Sequence, residues 1–162
     1  MTEYLTGSRE KTVGIKIIAK NKRASYDYFL EEKFEAGLVL VGTEVKSLRL
    51  GKVSLAEAHI SMDRDGEMWI HNMTIPQFEF GNIHNHQENR KRKLLLHRKE
   101  IHKVYHNQKT KSLTLIPTMI YFKNSRIKLE FALARGKKKY DKRQVEAKRD
   151  AEKKIRKANY DD

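Results

Sequence analysis

The order of apolar and polar positions divides the chain into a strand-rich body and a tail with almost no apolar face. Ile15, Ile17 and Ile18 open an apolar run that Lys20, Asn21, Lys22 and Arg23 close. Residues 26 to 42 read as extended. Tyr26, Tyr28 and Leu30 alternate with Asp27 and Phe29, and Leu38, Val39, Leu40 and Val41 form the short run expected of a buried strand, bracketed by Gly37 and Gly42. Thr43 is placed to cap a short helix, TEVKSLRL, that Gly51 ends, with Val45 and Leu48 toward the core and Lys46 and Arg49 outward. Ser54 and Glu57 have the spacing of a capping box for one or two helical turns. Ile60 and Met62, then Asp65-Gly66, then Met68 and Ile70 read as a hairpin.

A polar, irregular loop covers residues 78 to 92, and after Leu94, Leu95 and Leu96 a helix is marked by Ile101, Val104, Tyr105 and Gln108. The plainest signal follows. Leu113 and Leu115, then Ile120 and Phe122, turn at Asn124-Ser125 into Ile127, Leu129, Phe131 and Leu133, an alternation of period two that buries one face of a second hairpin. About six strands and about three short helices predict a mainly β (α+β) fold, a small, partly closed antiparallel barrel of the oligonucleotide-binding kind. Three segments are expected: a mobile N-terminus at 1–14, the barrel at 15–135, and a basic tail at 136–162. In the tail Ala147, Ala151, Ile155 and Ala158 make a thin stripe, and Asp150 with Lys154 and Glu152 with Arg156 are supporting i, i+4 pairs. An isolated helix of this length is marginal in water, so the tail is expected to be disordered when free and helical once phosphates neutralise its cations.

Charge turns this layout toward a partner. The 162 residues carry a formal net charge of +14, and residues 137 to 157 alone hold 11 Lys or Arg against 4 Asp or Glu. Such a surface attracts nucleic acid, or less readily an anionic membrane. No apolar run is long enough to span a bilayer and the first residues lack the apolar core of a signal peptide, so a cytosolic protein is expected. The absence of cysteine excludes disulfides, a thiol nucleophile and cysteine-ligated zinc.

Catalytic chemistry has little in the chain to rest on. No G-x-S-x-G, P-loop or G-x-G-x-x-G occurs. His102 and His106 have a spacing that places two imidazoles on one helix face, but without the H-E-x-x-H glutamate or a third ligand a solvated face is the expectation. Glu31, Glu32 and Glu35 form one acidic cluster, as a metal-dependent nuclease would need, yet neighbours on a strand point to opposite faces unless a bulge intervenes. The expectation for Glu31 and Glu32 is an exposed edge strand. His84 and His86, in the polar loop, are expected at the surface or against RNA. Basic residues recur at 20–23, at Lys46 with Arg49, at 90–93 and at Arg98 with Lys99, which favours a phosphate-binding face. Tyr26, Tyr28, Phe78 and Phe80 lie among them as rings able to stack on unpaired bases.

Several of these stretches together carry a resemblance. Asn21-Lys22-Arg23-Ala24, Phe34-Glu35-Ala36-Gly37, the run Glu44-Val45-Lys46-Ser47-Leu48-Arg49, Arg92-Lys93-Leu94-Leu95-Leu96, Tyr121-x-Lys123-Asn124 and Gly136-Lys137-Lys138-x-Tyr140-Asp141-Lys142-Arg143 occur in an order that resembles the SmpB family, the SsrA-binding proteins of bacterial trans-translation. The resemblance implies a non-enzymatic factor without cofactor or metal. Such a factor binds the tRNA-like domain of transfer-messenger RNA (tmRNA), mimics the anticodon arm of a tRNA, and delivers the RNA to stalled ribosomes. Carried over by motif, Asn21, Lys22, Arg23, Tyr26, Glu35, Lys46, Arg49, Arg92, Lys93, Leu95 and His97 would lie on the RNA surface. Lys137, Lys138, Lys139, Tyr140, Asp141, Lys142 and Arg143 would act at the small subunit's 16S rRNA, in the decoding region and empty messenger channel. Many members have histidine where this chain has Tyr26, and often glycine where it has Ser125. The competing readings are a ribosomal or assembly protein bound to rRNA, and a metal-dependent RNA nuclease.

Overall fold

The alternation between residues 113 and 133 builds the middle of a sheet. In the computed structural model, which describes residues 14–81 and 84–160, strands β6 (Thr114–Lys123) and β7 (Arg126–Gly136) pair antiparallel with Leu115 opposite Leu133 and Phe122 opposite Ile127. Asn124 and Ser125 turn the chain with φ of 51° and 65°, the left-handed geometry of a two-residue hairpin. A serine pays a steric cost there that glycine would avoid. One face of the hairpin carries Leu115, Ile120, Leu129, Phe131 and Leu133 into the main core. The opposite face is also partly covered, because Ala132 and Ala134 are fully buried and Ala134 packs with Ala24, Ile116, Tyr28 and Leu30.

That cover is a helix where the sequence pattern predicts extended chain. Helix α1 (Lys22–Asp27) follows β1 (Ile15–Lys20), and β2 (Tyr28–Leu38) starts only after it. Tyr26 and Tyr28 therefore sit on different elements, and their apparent alternation was accidental. The second run also ends early. Beyond Leu38 the chain leaves the sheet, Val39 and Val41 are exposed, and Val41 rather than Thr43 is the N-cap of α2 (Gly42–Arg49). The Val41 N–H donates to Glu44 Oε1 at 2.9 Å, and Gly51, at φ 75°, follows the helix in the left-handed conformation glycine favours. Residues 54–57 form no helix. Ser54 bridges to Thr74 instead.

The remaining elements are β3 (His59–Met62), β4 (Met68–His71), β5 (Arg92–Leu95), α3 (Arg98–Lys111) and α4 (Lys139–Tyr160). Among the described residues there are seven strands, not six, in one antiparallel sheet of order β1-β6-β7-β2-β5-β4-β3. The sheet curls until β3 comes near β6, but no ladder joins them, so the barrel stays open along that seam. Gly37 makes the curl possible where β2 passes from β7 to β5: it pairs with Leu95, and a Cβ there would lie 3.3 Å from the leucine's own Cβ. β2 has a second neighbour, β5, only at Gly37 and Leu38, so Glu31 and Glu32 lie on a stretch with β7 on one side and no ladder on the other, an edge as expected. Residues 1–13 of the predicted mobile N-terminus lie outside the described residues.

Candidate nucleic-acid interface

The sequence-predicted residues separate into three exposed groups and one buried one. At the first, Asn21 fixes the start of α1 by donating its side-chain amide to the Pro117 carbonyl at 2.9 Å and its backbone N–H to Thr118 at 2.7 Å. This leaves Lys22 and Arg23 exposed on the first turn. Lys20, Lys22, Lys33 and Arg149 line a hollow of about 470 Å³ beside it. Four cations around one concavity favour a phosphate.

The second group forms on the outer face of the sheet. Glu35 on β2, Leu95 on β5 and His97 at the N-cap of α3 line a hollow of about 380 Å³ together with Lys128 and Glu100. Tyr121 reaches across from β6 to donate its hydroxyl to Glu35, and Lys123 stands 3.3 Å from the same carboxylate. Partial burial works to raise the Glu35 carboxyl, but the Tyr121 and Lys123 hydrogen bonds outweigh it and hold the group below the usual carboxylate range. The same burial, with Glu35 alongside, pushes the Tyr121 hydroxyl up. Glu35 is therefore an anion with a fixed orientation, suited to accept from amino groups or ribose hydroxyls.

Lys46 and Arg49 are exposed on α2, Lys46 lying 5.4 Å from the centre of the Phe78 ring. Lys93 is half-buried on β5 and pairs with Glu67 at 3.4 Å.

Arg92 does not belong on the surface. It is fully buried, and its guanidinium donates to Glu44, to the Met73 carbonyl and, at 3.1 Å, to the Glu88 carbonyl. Glu44 is equally buried and also pairs with Arg90. Burial works to raise its carboxyl, but the Val41 N–H and the two guanidinium groups hold it below the usual range. His86, expected at the surface, is buried as well. Its Nε2 donates to the Ile75 carbonyl at 2.8 Å, and its Nδ1 lies 2.9 Å from the Thr43 hydroxyl. Glu44, Arg92 and His86 together hold the 73–90 loop against α2. Sequence reasoning missed Glu44 and Tyr121 as supports, although both stand inside motifs quoted above.

The three carboxylates of β2 are spent separately. A bulge lies between Leu30 and Lys33, but Glu31 points to solvent and Glu32 pairs with Lys103 at 2.5 Å. Among the described residues, no three His, Asp or Glu groups stand close enough to hold a metal, and no helix is long and apolar enough to cross a membrane.

The tail leaves the sheet at Gly136 and runs as α4. Lys137 donates its ammonium to the Ser25 carbonyl at 2.8 Å, Lys142 pairs with Asp27 at 3.1 Å, and Glu146 accepts from the Tyr26 hydroxyl, all on α1. That bond and the Glu146 charge push the Tyr26 hydroxyl up. Lys138 and Arg143 are exposed, and the side chains of Lys139, Tyr140 and Asp141 lie outside the described residues.

An open antiparallel sheet with cation-lined hollows, an oriented carboxylate and a basic helical extension defines a nucleic-acid-binding protein of the oligonucleotide-binding type. The chain belongs to the SmpB protein family, whose model matches residues 18–161. It is 52% identical over 153 residues to an SsrA-binding protein of Bifidobacterium longum strain DJO10A, covering 92% of this chain and 97% of that one. It is 49% identical over 146 residues to an SsrA-binding protein of Pelobacter propionicus, covering 90% and 95%. A solved structure described as "tmRNA-SmpB: a journey to the center of the bacterial ribosome" shares the fold with a TM-score of 0.62 and 43% identity, over 75% of this chain and 85% of that one.

Proposed function

We propose that the chain binds the tRNA-like domain of tmRNA and carries it to stalled ribosomes for trans-translation, standing in for the anticodon arm of a tRNA. The observation that carries this reading is family membership along nearly the whole chain, with a relative of the same fold described with tmRNA and the bacterial ribosome. The protein works by binding and positioning, without covalent chemistry or cofactor, in the cytoplasm where ribosomes translate. Asn21, Lys22, Arg23, Tyr26, Glu35, Lys46, Arg49, Lys93, Leu95 and His97 form its RNA surface, and Arg92 acts from beneath by holding β5 and the 73–90 loop in place.

The tail, Lys137 to Arg143 above all, acts in the decoding region and the empty messenger channel. It is disordered before it reaches the ribosome and helical there. Its composition supports this: every described side chain from 146 to 157 is exposed, so the helix has little packing to hold it without a polyanion.

Gel-shift titration against the tRNA-like domain and an unrelated hairpin RNA tests the reading. A clear preference for the tRNA-like domain is expected, and equal affinity overturns it. A resident rRNA-binding protein would be stoichiometric on all ribosomes, whereas this factor is expected to be sub-stoichiometric and enriched on stalled ones.

A further inference from the structure

We propose that the seam where the sheet fails to close is a pocket for one unpaired nucleobase of the bound RNA, with His59 as its stacking wall and Arg23 at its mouth. This rests on the RNA-binding reading above and assigns the place where a base, rather than the phosphate backbone, is held.

The seam follows from the strand order. β3 is the last strand, and β1 pairs with β6 only between Met119 and Lys123, so the start of β6 faces β3 across a gap with no ladder. Helix α1 lies over that gap. What remains is a hollow of about 250 Å³ bounded by α1, residues 56–59 and the start of β6, with room for a single base. Its walls suit one. His59 and Tyr28 bring aromatic rings to its lining, Ile116 an apolar side chain, and Glu57 a carboxylate that accepts from base amino groups, while Asp27 also lines it and pairs with Lys142 at 3.1 Å. Arg23 is exposed at the rim, where a following phosphate would pass.

His59 is pre-set for stacking. It pairs across the ladder with His71, the two rings stacked with centroids 5.0 Å apart and planes within 13°. Ser61 holds His71 from its Nε2 at 2.7 Å, which fixes the lower ring. Partial burial, with His59 and Lys91 nearby, holds His71 below the usual imidazole range. His71 stacks on His59 from β4, whereas the hollow is lined from the start of β6 and not by His71, so an entering base would continue a stack already begun.

The test uses the full-length chain and a single-stranded hexanucleotide with a central 2-aminopurine, alongside a tRNA-like-domain transcript. Binding should quench the aminopurine. His59→Ala should abolish the quenching and weaken hexanucleotide binding about tenfold, the scale of one lost base-aromatic stack. The salt slope should stay the same, since no phosphate contact is lost. His59→Phe keeps a ring and should retain both. The pocket is overturned if the unaltered protein fails to quench the probe, if His59→Ala binds and quenches normally, or if the alanine and phenylalanine variants are equally impaired. A His59-dependent quench without preference for the tRNA-like domain leaves the pocket standing and removes the tmRNA reading.

Discussion

Replacing Arg92 with alanine should unfold the protein well before it removes any contact with RNA. The guanidinium is fully buried and satisfies Glu44 and the carbonyls of Met73 and Glu88. Removing one partner of a buried ion pair costs on the order of 3–5 kcal/mol. Each carbonyl left without a donor adds about 1–3 kcal/mol, although contributions within one network do not sum. Arg90 remains beside Glu44 and compensates part of the loss, which brings the expectation to about 4 kcal/mol, a large share of a typical domain's stability. At about 3 °C per kcal/mol for a chain of this size, Tm should fall by about 12 °C. Urea and thermal melts measure the cost, and RNA titrations across a salt series, run well below the variant's Tm, measure the contact. Affinity should fall only as far as the folded fraction does, with the slope of log K against log salt unchanged. Arg92→Lys, which keeps the charge but loses the planar fork, should fall between the two. A variant that melts within about 2 °C of the parent yet loses about one unit of salt slope would show that Arg92 touches a phosphate and does not hold the fold.

Lys46→Ala with Arg49→Ala should do the reverse, flattening the salt slope by roughly one unit per lost phosphate contact while leaving Tm almost unchanged, because both side chains are exposed. Truncation after Gly136 should leave gel-shift affinity for the tRNA-like domain largely intact and abolish peptide tagging on stalled ribosomes. A truncation that costs as much RNA affinity as the double alanine change would refute that division of labour. Glu44, whose folded carboxyl is held below its unfolded value, contributes stability that is present above about pH 4.3 and is lost as pH falls through the folded value. Urea midpoints should therefore drop on acidification, and Glu44→Gln should be weaker at neutral pH with a flatter acid limb.

What the sequence made legible was whatever a short period encodes. The β6–β7 hairpin, the β3–β4 hairpin around Asp65-Gly66 and helix α3 all follow from alternation or from i, i+3, i+4 spacing, and each depends on neighbours a few residues away. Helix α1 was hidden because six residues are too few for a helical period to show, and its apolar contribution is a single buried alanine, Ala24. The end of β2 was hidden for a different reason. Val39 and Val41 have strand propensity, but the chain leaves the sheet there to place α2 over the 73–90 loop, and the buried Glu44–Arg92 pair fixes that placement. Tertiary context overrode local preference at both points.

The candidate surface was legible through motif and charge, which name residue types without saying which way they face. Lys22, Arg23, Lys46 and Arg49 are exposed as expected, while Arg92 and His86, chosen by the same criteria, are buried. A lone acid in a basic stretch is the signal that separates them. Glu44 stands two residues before Lys46 on a helix otherwise fitted to phosphate, and an anion in such a place calls for internal cations, which Arg90 and Arg92 supply. Tyr26 carries the same logic further. A hydroxyl beside Asp27 turns this end of α1 toward the tail, since Tyr26 meets Glu146 and Asp27 meets Lys142, while one turn earlier Lys22 and Arg23 remain exposed to solvent. One short helix therefore leaves the cations of its first turn exposed and touches the tail with its last, and the residue by which this chain departs from the common family pattern stands where α1 meets the tail.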